Sequence, residues 1–186
     1  MVRARNSLVR EILEWVVMLA VAFVAALLIQ RFVASPYTVP TGSMEPTIQV
    51  GDNIFAQKVT IELGQDVRAG DIVVFHNPNA SSDHDILVKR VIAVGGQTVD
   101  LKDGAVYVDG VKLSEPYAEG QSYPLDSQAP GIQISYPYQV PEGSVWMMGD
   151  NRENSADSRY FGPVSTSDLI GVAFLRYWPL DRIGAL

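Results

Sequence analysis

Residues 87–94 read LVKRVIAV, a run of aliphatic and β-branched residues that contains two adjacent cations, Lys89 and Arg90. β-Branched side chains favour strands, and successive side chains of a strand point to opposite faces. Two neighbouring cations therefore cannot both be accommodated in a sheet that is buried on both sides. We expect one of them to lie at a functional site or at the surface. A lysine that protects an edge strand from aggregation is the alternative for Lys89.

Further strands are predicted around this run. They cover residues 54–59, 71–75, 105–108, 111–113, 144–148 and 169–177. Asp109-Gly110 predicts a hairpin with a type I′ turn, because this pair tolerates positive φ angles. No long amphipathic helix follows residue 35. Residues 115–139 contain four Pro and four Tyr without clear periodicity, which predicts a long loop excursion.

The N-terminal part of the chain has the length and composition of a membrane span. Residues 15–29 form an unbroken apolar run, and residues 12–33 reach the roughly 20 residues that a membrane helix needs. Arg3, Arg5 and Arg10 precede this run, and only Arg31 follows it closely. The positive-inside rule then places residues 1–11 in the cytoplasm and residues 35–186 across the membrane. A cleaved signal peptide, with residues 33–35 as its small-residue site, is the alternative.

These segments together predict the fold class. We expect a mainly β protein, in which one N-terminal transmembrane helix precedes a compact, multi-sheet domain over residues 35–186. Residues 12–33 form the predicted anchor.

Composition excludes several classes of function. The 186 residues contain no Cys and two His, so thiol nucleophiles, thiolate metal sites and multi-histidine zinc sites are excluded or poorly supported. We expect no metal and no cofactor. Four of the 14 Lys and Arg and two of the 21 Asp and Glu lie in residues 1–34, which leaves 10 basic and 19 acidic residues in 35–186. Such an acidic domain should not bind nucleic acid by electrostatics.

Ser43 is the candidate nucleophile. It lies in residues 40–47, PTGSMEPT, where Pro stiffens the backbone and Gly42 lets it approach a substrate closely. A serine hydroxyl needs a base to remove its proton, and a desolvated lysine can be that base. Lys89 is therefore the candidate partner. An ordinary serine in a Pro/Gly turn is the alternative.

A polar loop is predicted directly after the strand at 144–148. Residues 149–162 read GDNRENSADSRYFG, and Asx turns and carboxylate–guanidinium pairs would make this loop rigid. His76 and His84 flank the loop that precedes Lys89. A Ser-His-Asp triad with Ser43 is the competing catalytic arrangement, but neither His lies in a motif typical of one.

Four segments, in this order, resemble the conserved boxes of bacterial type I signal peptidases. They are residues 41–47 (TGSMEPT), 51–55 (GDNIF), 70–75 with 89–96 (GDIVVF and KRVIAVGG), and 149–159 (GDNRENSADSR). Lysine rather than histidine at position 89 resembles the bacterial type rather than that of the endoplasmic reticulum. The likeness runs from the apolar segment almost to the C-terminus.

The resemblance implies a membrane-bound serine endopeptidase with a Ser-Lys dyad. It would remove signal peptides from exported precursors after an Ala-x-Ala-like site, with residues 12–33 as an uncleaved anchor. Its partners would then be precursors and the lipid bilayer of the cell membrane. Ser43 would be the nucleophile and Lys89 the general base. The Ser43 backbone N–H and the hydroxyl of Thr41, where family members often have Ser, would form the oxyanion hole.

The resemblance also implies roles for residues around the dyad. Ser155 would hydrogen-bond the lysine and orient it, and Asp157 and Arg159 would form a supporting ion pair. Six residues would line two small apolar pockets for the substrate: Tyr37, Val39, Met44, Ile48, Leu87 and Val88. Residues 115–139 would be a compact version of a domain that is larger in some members.

Two other classes share part of the pattern. Self-cleaving repressors and mutagenesis proteins use a Ser-Lys dyad on a similar β core, but they lack the anchor and the box at 149–159. A membrane-anchored β domain that only binds or assembles is the non-enzymatic alternative.

Overall fold

The computed structural model describes residues 2–78 and 85–186. Its helices are α1 (Val2–Phe32), α2 (Val59–Glu62) and α3 (Ser158–Phe161), with short 3₁₀ helices at Gly42–Met44, Arg152–Asn154, Thr166–Asp168 and Leu180–Arg182. Its strands are β1 (Ala34–Thr38), β2 (Asn53–Gln57), β3 (Ile72–His76), β4 (Ile86–Val94), β5 (Thr98–Lys102), β6 (Ala105–Val108), β7 (Val111–Lys112), β8 (Tyr138–Gln139), β9 (Ser144–Met148), β10 (Val164–Ser165), β11 (Leu169–Trp178) and β12 (Gly184–Ala185). The predicted mainly β fold with one N-terminal apolar helix is confirmed.

Helix α1 is longer than the predicted span. It begins at Val2, ten residues before the predicted anchor, and ends at Phe32, so its 31 residues measure about 46 Å. By length and composition, Arg10–Leu28 could cross a membrane, and this stretch packs against no other part of the protein. Strand β1 follows after a single residue, Val33. The β domain therefore begins directly at the end of the helix.

The large sheet has the order β1-β2-β11-β3-β4-β9-β10, and β12 adds to β11; all pairs are antiparallel. Strand β4 lies between β3 and β9, so Lys89 is not on an outer strand. Pairing with β9 begins only at Arg90, opposite Met148. Residues 86–89 therefore pair with β3 alone, and their other edge faces the site described below.

The small sheet has the order β7-β6-β5-β8. The hairpin predicted at Asp109-Gly110 is confirmed, with φ angles of 51° and 79° that suit a type I′ turn. Asp103 and Gly104 make an equivalent turn between β5 and β6, with φ angles of 51° and 73°. The sequence prediction missed this second turn, although its chemistry is the same.

Among the described residues, the core consists of three clusters. The alternation of β3 separates two of them, because Val73 and Phe75 belong to one while Ile72 and Val74 belong to another. The third cluster joins β9 of the large sheet to the small sheet, with Trp146 at its centre. Strands β1, β5, β8, β10 and β12 were not predicted, since they are very short or rich in polar residues.

Residues 115–139 form the predicted excursion, but they pack on the domain. Tyr136 and Tyr138 lie against Trp146, with ring centroids 6.0 and 5.0 Å away. The backbone N–H of Ala129 donates to the carbonyl of Tyr160 at 2.9 Å. The segment therefore covers the small sheet and the loop that follows β9.

Candidate active site

Ser43 lies in the 3₁₀ helix Gly42–Met44, which follows β1. Val39 donates its backbone N–H to Asp52 at 2.9 Å and accepts from Gly51 at 2.8 Å, which closes the loop between β1 and β2. Ser43 is buried. Its backbone N–H is in the first turn of the helix, where no intrahelical partner exists. The loop thus presents both a hydroxyl and an N–H donor at one place.

The side chain of Lys89 reaches Ser43 from strand β4. Lys89 is 3% exposed, and its Nζ donates to Ser43 Oγ at 2.6 Å and to the carbonyl of Val88 at 3.1 Å. The two residues are 46 positions apart in the chain. A buried amine in direct contact with a serine hydroxyl can exchange a proton with it.

Burial lowers the pKa of Lys89 from its ordinary 10.5 to about 8. The cause is desolvation, which disfavours the ammonium form. The carboxylates of Asp157 and Asp150 oppose this change in pKa, and the nearby cation of Arg159 adds to it. A substantial share of Lys89 is then a neutral amine near pH 8, the form that can accept a proton.

Thr41 immediately precedes the 3₁₀ helix and has an extended backbone. Its Oγ1 lies 3.5 Å from Ser43 Oγ, so both hydroxyls face the same space. Its side chain makes no capping hydrogen bond to the helix. The hydroxyl is therefore available beside the nucleophile.

Asp157 and Arg159 form a bidentate ion pair in the loop after β9. Arg159 Nε and Nη2 both lie 2.9 Å from the Asp157 carboxylate, and both side chains are almost fully buried. Asp157 Oδ2 also accepts from the backbone N–H of Gly149 at 3.1 Å, while Arg159 Nη2 donates to the carbonyl of Arg152 at 2.6 Å. The pair thereby connects both ends of the loop.

Ser155 does not make the hydrogen bond to Lys89 that the resemblance implies. Its Oγ is buried and has no hydrogen-bond partner among the described residues. The amine of Lys89 donates to Ser43 Oγ and Val88 O instead. Ser155 nevertheless lies close to the nucleophile, since a Cβ at Gly149 would overlap both Ser155 Oγ and the Ser43 carbonyl oxygen.

Lys89 lies at the candidate site, as expected for one of the two cations, but the premise that a buried sheet cannot accommodate both needs correction for Arg90. Arg90 is buried as Lys89 is, because Asp150 compensates its charge through bonds of 2.9 and 2.7 Å. The ring of Tyr117 lies 4.0 Å from the guanidinium carbon, and the carbonyl of Gly70 accepts from Nη1 at 2.8 Å. Asp150, the acidic residue in the GDNR segment, could have been proposed from the sequence as the partner of Arg90. No local sequence feature indicated that Tyr117 would contact the guanidinium.

A cavity of about 220 Å³ lies beside Ser43 and Lys89. Its walls are formed by Tyr37, Thr38, Val39, Pro40, Thr41, Ser43, Met44, Ile86, Leu87, Val88 and Lys89. Five of the six predicted pocket residues are among them. Ile48 is not; it is fully buried behind Met44 in a core cluster, because the chain has turned inward by that point. Sequence reasoning missed Ile86, which prolongs the same strand.

The competing histidine arrangement finds no support at this site. His76 is exposed at the end of β3, three positions from Val73, which lies opposite Lys89. That is about 10 Å along the strand. His84 lies outside the described residues. No group of three or more potential metal ligands occurs among the described residues.

Comparison with known proteins identifies the family. Residues 12–178 match the family model described as signal peptidase, peptidase S26. Signal peptidase IB of Staphylococcus aureus (strain COL) is 36% identical over 186 residues, covering 93% of this chain and 93% of that protein. Probable signal peptidase I-1 of Synechocystis sp. is 40% identical over 179 residues, covering 93% and 86%.

A crystal structure of a signal peptidase I from Enterococcus faecalis is 32% identical and aligns with a TM-score of 0.46. That alignment covers 58% of this chain and 97% of the other. The family match spans most of the chain, from within α1 to the end of β11. The chain therefore belongs to the signal peptidase family, peptidase S26.

Proposed function

We propose that this signal peptidase is a membrane-anchored endopeptidase with Ser43 as nucleophile and Lys89 as general base. It removes N-terminal signal peptides from exported precursors. The observation that carries the proposal is the 2.6 Å contact between Lys89 Nζ and Ser43 Oγ at a lysine that is 3% exposed. A lysine acts as a base only when its pKa approaches the working pH, and burial supplies that condition.

The reaction starts with neutral Lys89. Its amine accepts the Ser43 hydroxyl proton while Oγ attacks the carbonyl carbon of the scissile peptide bond. The Ser43 N–H and the Thr41 hydroxyl donate to the oxyanion that develops. The Lys89 ammonium then returns the proton to the leaving amine. Water, deprotonated by the same lysine, hydrolyses the acyl-enzyme and restores Ser43.

The preference that we propose, an Ala-x-Ala-like site, is what the family implies, and the cavity beside Ser43 and Lys89 is compatible with it. Apolar side chains of Val39, Met44, Leu87 and Val88 line this cavity of about 220 Å³. An apolar lining favours apolar side chains over polar or charged ones, which would lose their hydration there. Tyr37, at the same wall, adds an aromatic face to the pocket. Ile48 supports this wall from behind.

Ser155, Asp157 and Arg159 are assigned to orient the base. A protonated Lys89 has three N–H donors, and Ser43 Oγ and Val88 O accept two of them. The buried, unpaired hydroxyl of Ser155 is the acceptor that we assign to the third. The Asp157–Arg159 pair holds the loop that carries Ser155.

Residues 12–33, all but the last of which belong to α1, are proposed as the anchor, with residues 1–11 in the cytoplasm and residues 35–186 outside the membrane. Three Arg before the apolar run and one directly after it favour this orientation. The partners are precursors that bear signal peptides and the lipid bilayer. The acidic domain is not expected to bind nucleic acid.

Cleavage of a precursor by the full chain in detergent tests the proposal, with N-terminal sequencing of the product. We expect a cut after Ala-x-Ala with wild type, and none with Ser43→Ala. Lys89→Arg should also be inactive, because a guanidinium cannot give up its proton in this pH range. Lys112→Arg, at an exposed position of β7, is the matched control and should retain full activity. Cleavage by Lys89→Arg within about tenfold of wild type would exclude lysine as the base.

A further inference from the structure

Thr47 is held from two sides by groups outside its own loop. Its Oγ1 donates to Asp150 Oδ2 at 2.5 Å, and its carbonyl accepts from Arg176 Nη1 at 2.7 Å. Thr47 is four residues after Ser43, and the backbone bond from Ile48 to Met44, 2.8 Å long, closes the turn between them. A movement of Thr47 would therefore also move Ser43, because only one short turn separates them.

The hydroxyl of Thr47 is connected by hydrogen bonds to β4, the strand that carries Lys89. Asp150 is fully buried and accepts two bonds from Arg90, which is the neighbour of Lys89 in β4. The next residue, Asn151, bonds the nucleophile turn directly. Its backbone N–H donates to the Ser43 carbonyl at 3.1 Å, and its Nδ2 donates to the carbonyl of Gly42 at 3.2 Å. One loop therefore ties the strand of the base to the turn of the nucleophile.

The backbone carbonyl of Thr47 is connected by hydrogen bonds to the C-terminal segment of the chain. Arg176 Nε donates to the carbonyl of Arg182 at 2.5 Å, and Arg182 Nη1 donates to Asp52 Oδ1 at 2.9 Å. The other oxygen of Asp52 accepts from the backbone N–H of Gln49 at 2.8 Å. The segment from Thr47 to Asp52 is therefore fastened to strand β11 and to the residues after it.

We propose that Thr47 is a positioning residue that sets the distance between Ser43 Oγ and Lys89 Nζ. It does so through its hydroxyl bond to the Asp150–Arg90 ion pair. The inference rests on the proposed roles of Ser43 and Lys89. Without the hydroxyl, Asp150 still pairs with Arg90, but the turn loses its direct bond to that pair. A displacement of about 1 Å between reacting groups can cost about 10²-fold in rate.

Thr47→Val and Thr47→Ser form the matched pair for the test. Valine keeps the shape of the side chain and removes the hydroxyl, whereas serine keeps the hydroxyl. For the full chain in detergent, we expect Thr47→Val to lower kcat by about ten- to a hundredfold with little change in KM. Thr47→Ser should recover most of the lost kcat.

The pH profile separates positioning from a general structural role. If Thr47 only positions Ser43 relative to Lys89, Lys89 remains buried in Thr47→Val. The acidic limb of the profile, in which kcat/KM rises with pH, should then have the same apparent pKa as in wild type. An upward shift of that limb in Thr47→Val would mean that water has reached Lys89, and the inference would be wrong. Wild-type kcat in Thr47→Val would overturn it as well.

Two controls complete the experiment. If Thr47→Val does not fold, Thr47→Ala removes the same hydroxyl bond to Asp150, and we expect lower kcat at unchanged KM; wild-type kcat there would overturn the inference. Ser43→Ala and Lys89→Arg measure the dyad itself. Activity in either would refute the proposed function, whereas their inactivity beside a fully active Thr47→Val would refute the positioning role alone.

Discussion

At the scale of single residues, Lys89 is subject to two opposing requirements. As the base that we propose it must lose its proton near neutral pH, and as a buried cation it needs compensating charge. Desolvation meets the first requirement, while the carboxylates of Asp157 and Asp150 partly meet the second. Both carboxylates are themselves paired with Arg, through Arg159 and Arg90, which limits how far they stabilise the ammonium.

The pH dependence of activity follows from this balance. We expect kcat/KM on a soluble peptide to rise with pH through an apparent pKa near 8, far below the ordinary 10.5 of lysine. Leu87 lines the same cavity, and Leu87→Asn would let water solvate the ammonium. Because solvation raises the pKa of Lys89, the acidic limb should move to higher pH. A folded Leu87→Asn variant with an unmoved limb would separate this limb from the burial of Lys89.

Substitution of Thr41 tests the second oxyanion donor. Removal of one such donor costs about 10²–10³ in rate, so Thr41→Ala and Thr41→Val should both lose most of their kcat. Thr41→Ser retains a hydroxyl and should keep much of the activity. The measurement is kcat/KM on the same peptide for all three variants. Equal values for Thr41→Val and wild type would show that the hydroxyl does not donate to the oxyanion.

At the scale of elements, the loop after β9 determines how the site is supported. Four of its charged residues form buried ion pairs with groups inside and outside the loop: Asp150 with Arg90, Arg152 with Glu115, and Asp157 with Arg159. Arg152 also donates to Ser122 Oγ at 2.6 Å, which fastens the 115–139 excursion to the loop. Buried, fully paired charges of this kind resist displacement, because separation of one pair leaves an uncompensated charge.

Gly149 is a point where this loop passes close to Ser43. A Cβ there would overlap the Ser43 carbonyl oxygen and the Ser155 hydroxyl, so one of the two must move. We expect Gly149→Ala to lower kcat/KM by about 10²-fold or more, as misplacement of reacting groups does. Gly184→Ala is the control, since its Cβ would meet no atom closer than 3.9 Å. Both variants should be assayed for kcat/KM and melting temperature; wild-type activity of Gly149→Ala would contradict the close approach.

At the scale of the whole molecule, the chain joins an exposed apolar helix to a β domain through one residue. Arg10–Leu28 of α1 are not covered by the rest of the described protein, and β1 begins at Ala34. In the orientation that we propose, this short connection keeps the domain at the membrane surface. Precursors held in the same membrane would meet the active site without leaving the bilayer.

Protease protection tests this orientation. In cells stripped of their outer barriers, external protease should digest the domain at 35–186 and leave a tag at the N-terminus protected. The reason is the excess of Arg before the apolar run, which retains the N-terminus in the cytoplasm. Permeabilised cells are the control, in which the tag should also be lost. Full protection of the domain in intact cells would mean that the orientation is inverted.

Much of the fold was predictable from local pattern. The strand at 144–148 was predicted with its observed bounds, and Asp109-Gly110 forms the expected turn. These features depend on residues within a few positions of each other, so periodicity and turn chemistry suffice to predict them. The second Asp-Gly turn, at Asp103, was missed, although the same turn chemistry would have predicted it. Strand β1 was harder, because its five residues include Pro and polar side chains.

The sequence by itself determined the strand-rich domain, the apolar helix before it, and the motifs that identify Ser43 and Lys89 as candidates. Only the tertiary structure decided that Lys89 Nζ lies 2.6 Å from Ser43 Oγ across 46 residues, and that Arg90 is paired with Asp150 across 60. The same holds for Ile48, which lies behind the pocket, and for the unpaired hydroxyl of Ser155. Local pattern cannot supply such contacts, because they depend on strand register and on how the loops close over the sheet.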